Sequence, residues 1–164
     1  MPFAVNTSVP VDRTRSEIER LVVTTHKCKR YSSGMDFEHG SAMIQFETHD
    51  RVVRFVLPLP NPSDKAFRKP SRGHYYDLPS DSAIVVERVR QAERTLWRAF
   101  LLVIKAKLEA VESKIATFEQ EFMANIVMPN DRTIEEIVTP LIARAYETRQ
   151  MPQGLLMLPE RTGD

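Results

Sequence analysis

The sequence predicts an α+β fold in which a short antiparallel sheet packs on one very long central helix. Three observations carry that prediction. Trp97, Leu101, Ile104, Leu108, Val111, Ile115, Phe118 and Phe122 recur at alternating spacings of four and three, the a/d seam of a heptad. No Gly or Pro falls between Pro79 and Pro129 to force a break in that stretch. Upstream, Ser41–Leu57 alternates apolar and polar residues about a polar His49-Asp50 pair, as a hairpin with one buried face does.

Taken in order, residues 1–11 form an N-terminal arm containing Pro2 and Pro10. Thr14 followed by Glu17 fits a capping box, so a helix is expected from there to about Thr25, burying Ile18, Leu21 and Val22. A strand across Lys29–Phe37 follows, with Gly40 supplying the next turn. A two-residue turn at His49-Asp50 pairs Phe46 with Val53, Ile44 with Phe55 and Ala42 with Leu57. All six then share one face, and Met43, Gln45, Glu47, Val52, Arg54 and Val56 share the other. Residues 58–80 read as a long loop, because Pro58, Pro60, Pro62, Pro70 and Pro79 oppose a regular element.

The central helix changes character along its length. LWRAFLLVI, from Leu96 to Ile104, is apolar nearly all round and should be covered on more than one side. From Lys105 onward only the seam is apolar. Burying eight such side chains contributes roughly 12–24 kcal/mol gross. Two arrangements cover them: helices of the same chain, or a parallel homodimer through Leu108, Val111, Ile115, Phe118 and Phe122. In the dimer Lys107 faces Glu112, and Lys114 faces Glu119. A break near Ser113 or Thr117, giving a helical hairpin, is the alternative to one continuous rod. After a turn at Met128–Asp131, Thr133 and Glu136 form a capping box. Thr139-Pro140 offers a second helix start, so the helix either kinks at Pro140 or restarts there. Residues 150–164 form a C-terminal tail whose Leu155, Leu156, Met157 and Leu158 are expected to tuck against the core.

A chain of 164 residues, 42% hydrophobic and 27% charged, is expected to form one domain spanning residues 1–164. The net charge of +1 selects no partner by bulk electrostatics. Cys28 is the single cysteine and cannot form an internal disulfide. With no signal-like or membrane-spanning run, a cytoplasmic protein without membrane association is expected.

Catalysis finds little support. Asp36, Glu38 and His39, and Glu47, His49 and Asp50, are acidic and histidine groups that could hold a hydrolytic metal, but turns also favour such residues. His26 and Cys28 lack the second pair that a zinc site needs, and nothing marks a base for Cys28 as nucleophile. Neither cofactor nor metal is expected. Three basic patches point instead to nucleic acid. The loop holds Lys65, Arg68, Lys69 and Arg72 beside Phe67, His74, Tyr75 and Tyr76. Lys27, Lys29 and Arg30 precede the sheet, and Arg90, Arg94 and Arg98 recur every four residues on the long helix. Cations neutralise phosphates and aromatic rings stack on bases.

The stretches GSAMIQFETHDRVVRFVLPLP and WRAFLLVIKAKLEAVESKIATFEQEFMANIVMPNDRTIEEIVTPLI resemble those of a group of small, uncharacterised phage and prophage proteins. The resemblance covers roughly residues 13–158 and carries over no functional residue. It implies a phage-side role in the host cytoplasm, in genome handling or interference with a host system. The expected function is therefore an accessory protein that binds nucleic acid, single-stranded, without catalysis. The alternative is a protein-interaction module that inhibits or redirects a host defence protein.

Overall fold

The computed structural model describes residues 4, 6–70 and 76–150. Helix α1 (Val11–Arg20) continues into a π-helical turn at Leu21–Thr25 and leads to strands β1 (Arg30–Asp36), β2 (Ser41–Thr48) and β3 (Arg51–Pro58). A short helix α2 (Lys65–Arg68) precedes the 30-residue α3 (Ala83–Glu112). Helix α4 (Phe118–Phe122), a 3₁₀ turn at Met123–Asn125 and α5 (Ile134–Thr148) complete the order.

The three strands form one antiparallel sheet in the order β1-β2-β3. The β2–β3 register pairs Phe46 with Val53, Ile44 with Phe55 and Ala42 with Leu57, as the alternation predicts. All six are buried. His49 and Asp50 both adopt positive φ (50° and 55°), which a two-residue turn matching the twist of its strands requires. Gly40 (φ 58°) closes the β1–β2 turn.

The buried sheet face lies on Ile18 and Val22 from the N-terminal helical segment and on Trp97, Phe100, Leu101, Ile104 and Leu108 of α3. Aromatic rings knit the layers together. Phe55 meets Phe100 edge-on at 5.2 Å, and Phe122 stands against Phe46 at 6.2 Å.

Several expectations need correction. Helix α1 starts at Val11, not Thr14, so Thr14 lies inside it, buried, with its hydroxyl 3.4 Å from the Pro10 carbonyl. The proline-rich stretch is not wholly irregular, since α2 forms within it. The rod does not run unbroken to Phe122; it ends at Glu112. The Ile115 N–H bonds to the Ala110 carbonyl and the Lys114 N–H to the Val111 carbonyl, the two bonds of a Schellman stop, with Lys114 left-handed at φ 57°. Thr117 then caps α4 in a reciprocal box with Gln120. The reversal returns Phe118 and Phe122 to the core beside α3, and Lys107 donates to the Glu121 carbonyl. Ile115, at the turn, is 79% exposed.

In α5 the Thr133–Glu136 capping box forms as expected, and the helix continues through Pro140 without restarting. Pro140 has no N–H for the Glu136 carbonyl; the Arg132 guanidinium donates to that carbonyl instead, at 2.6 Å. Among the described residues, no helix is long and apolar enough to cross a membrane. The tail residues Leu155, Leu156, Met157 and Leu158 lie outside the described residues.

Candidate functional site

The fold engages the described side chains of the three basic patches to different degrees. In the loop, Lys65, Lys69 and Tyr76 are exposed, whereas Arg72 and Tyr75 lie outside the described residues. Arg68 is partly buried and structural: its Nε donates to the Leu78 carbonyl at 2.8 Å, and its own carbonyl accepts the Leu78 N–H. The loop is clamped to α3 by Arg88, which donates to the carbonyls of Phe67 and Lys69 at 2.7 Å each. Arg88 and Arg90 are two positions apart, so their side chains leave the helix about 200° from one another. Arg90 therefore leaves α3 away from the loop's clamp, whereas Arg98, ten positions after Arg88, leaves it only about 80° from that clamp.

The cluster before the sheet is mostly neutralised. Lys29 pairs with Asp50 and Arg30 with Glu47, at 2.5 and 2.6 Å, leaving Lys27 exposed in a left-handed conformation. The Asp50 carboxylate raises the Lys29 ammonium and is itself held below the ordinary carboxylate value.

The α3 row is different. Arg90 is exposed, Arg94 bonds to Glu87 and Gln91, and Arg98 reaches Glu17 on α1 at 2.6 Å. Because α1 lies along α3, that last pair sits in a groove between them. Leu21, Leu101 and Leu102 are apolar residues of its lining, while Arg20, Arg98 and Lys105 bring positive charge from both helices. The cavity measures about 230 Å³. Glu17 is the carboxylate of this lining, and it is shared between Arg98 and Arg13. Among the described residues, neither Arg20 nor Lys105 forms an ion pair, and both are exposed.

Sequence reasoning found the Arg90–Arg94–Arg98 row but missed Arg20 and Lys105. Lys105 follows Arg98 by seven residues, two helical turns, and so extends the same stripe. That signal was readable. Arg20 carried none, because its place depends on how α1 lies on α3. Other hollows set opposite charges together: Arg30 with Glu47 on the open sheet face, and Lys114 with Asp50 and Glu119 beside the α3–α4 turn.

The acidic and histidine groups find local uses. Asp36 accepts from the His39 backbone N–H at 2.9 Å and lies 2.8 Å from its ring nitrogen. His49 stacks on Phe118 at 4.8 Å, and Glu38 is exposed. Burial pushes the Cys28 thiol up, the reverse of an activated nucleophile. Among the described residues, no group of three His, Cys, Asp or Glu gathers to hold a metal.

Leu108, Phe118 and Phe122 are buried in the chain's own core and Val111 packs beside it, so of the five seam positions only Ile115 faces solvent. Comparison of the chain with protein-family models, with curated proteins and with solved structures finds no match.

Proposed function

We propose that the protein binds nucleic acid without catalysis, holding a single strand along the groove between α1 and α3. The observation that carries this reading is the convergence of Arg20, Arg98 and Lys105 on one leucine-lined groove, against one carboxylate already shared by two arginines. A single strand presents both parts of the complement. Its phosphates meet the cations, and its unstacked bases can bury apolar surface against the leucines. Arg94 and Arg90 extend the cationic track along α3. A duplex keeps its bases stacked inside and would use only the charges.

Fluorescence polarisation of a labelled oligonucleotide tests the reading. Wild-type protein is expected to bind at low salt, and single strands better than duplex. Arg20→Glu and Lys105→Glu are exposed reversals that should each weaken binding several-fold without loss of fold. Lys65→Glu and Lys69→Glu, which do not line the groove, should change it little. Absence of binding to any oligonucleotide at low salt would refute the proposal, as would binding indifferent to the groove reversals.

A further inference from the structure

Strand β1 is an edge of the sheet. Among the described residues, the backbone of Arg30–Asp36 bonds to no element but β2. Alternate residues of such a strand point their N–H and C=O groups away from the sheet, where another strand can take them. The opposite edge is partly closed: Val53 bridges to Ile126, and the Val127 N–H donates to the Val52 carbonyl. Tyr31, Ser33 and Met35 pair with Phe46, Ile44 and Ala42, so they share the helix side of the sheet. Arg30, Ser32, Gly34 and Asp36 share the open face. Ser33 is exposed although it lies on the helix side, so the helices leave the middle of this edge uncovered.

We propose that β1 is a self-association edge, pairing antiparallel with β1 of a second copy of this chain and joining the two sheets into one. The residue order of the strand selects both occupant and register. A two-fold axis at Ser33 sets that serine against its own counterpart and pairs all 7 residues of each strand. The same axis places Arg30 opposite Asp36 of the second copy, twice by symmetry. It also sets Tyr31 opposite Met35, a ring against a thioether, and Ser32 opposite Gly34. Every pair joins residues of one face, so helix side continues helix side. Both charged groups are exposed and can accept a further partner. Arg30 gives its Nε to Glu47 at 2.6 Å, and among the described residues its terminal nitrogens carry no hydrogen bond. Asp36 accepts the His39 backbone N–H and lies 2.8 Å from the His39 ring nitrogen, but each carboxylate oxygen can accept a second bond. Opposite charges facing across strands stabilise the pairing, and like charges oppose it. A parallel pair would set Arg30 beside Arg30, and an antiparallel shift by two residues would separate Arg30 from Asp36.

No β1 residue lines the α1–α3 groove, so this interface stands or falls independently of the nucleic-acid reading. Analytical ultracentrifugation of the full chain, from about 1 μM to 1 mM, tests it. A monomer–dimer equilibrium is expected. Arg30→Glu and Asp36→Arg should each weaken the dimer about tenfold, because each makes both symmetric pairs repulsive. An equimolar mixture of the two variants should associate again, since the mixed pair sets opposite charges at both ends. Local loss of the Glu47 or His39 contact is the same in each variant alone and in the mixture, so it cannot imitate that rescue. A cross-link gives a second readout in a Cys28→Ala background. Ser33→Cys should form a disulfide-linked dimer, its two Cα atoms lying about 5 Å apart across the axis. Ser32→Cys should not, since its two copies stand roughly 8 Å apart. A wild-type chain monomeric throughout the range would overturn the proposal, as would a mixture no better than its parts or equal cross-linking at the two serines.

Discussion

At the residue scale, two aspartates act as braces for turns. Asp36 accepts the His39 N–H across the β1–β2 turn, and Asp50 pairs with Lys29 across the end of the sheet. Both carboxyls are held below the ordinary value of 3.8, Asp36 chiefly by the His39 backbone hydrogen bond and Asp50 by the Lys29 side chain. A carboxylate with a lowered folded value stabilises above its unfolded value, and loses that contribution as pH falls through the folded one. Both groups are exposed, so the effect is local to the turns. Following the His39 amide by NMR should give an acid transition with a midpoint below 3.8, absent in Asp36→Asn. A midpoint at or above 3.8 would contradict the assigned brace.

At the element scale, what the sequence showed depended on whether its signal was local. The β2–β3 register was readable because period-two alternation and one turn position determine every pair, and a one-residue slip would expose the whole buried face. The end of α3 was ambiguous for a physical reason. A helix stop normally announces itself with Gly at the left-handed position, and here Lys114 occupies it. The seam spacing continued past the stop, because Phe118 and Phe122 rejoin the same core from the far side of a reversal. Only Thr117-x-x-Gln120 hinted at a new start. Lys114→Gly should therefore stabilise the protein by roughly 0.5–1 kcal/mol, the left-handed penalty relieved less the added chain entropy. Urea denaturation checks this, and an unchanged or lower midpoint would count against the Schellman assignment. The start of α1 was misread because Thr14-x-x-Glu17 imitates a capping box inside a helix that begins at Val11.

At the scale of the whole molecule, a net charge of +1 conceals segregation. The cations before the sheet are largely neutralised by Asp50 and Glu47, whereas those of the α1–α3 groove outnumber their carboxylate. Counting basic residues along the sequence treats both clusters alike; only the packing of α1 on α3 separates them. In the proposed complex Arg20, Arg98 and Lys105 together contact the phosphates of one strand. The most direct test is the salt dependence of single-strand affinity. Three phosphate contacts give a slope of about −2 in log K against log salt. Replacing Arg20 and Lys105 together by alanine should reduce the slope to about −0.7, the value for one remaining contact. An unchanged slope in the double variant would contradict the account.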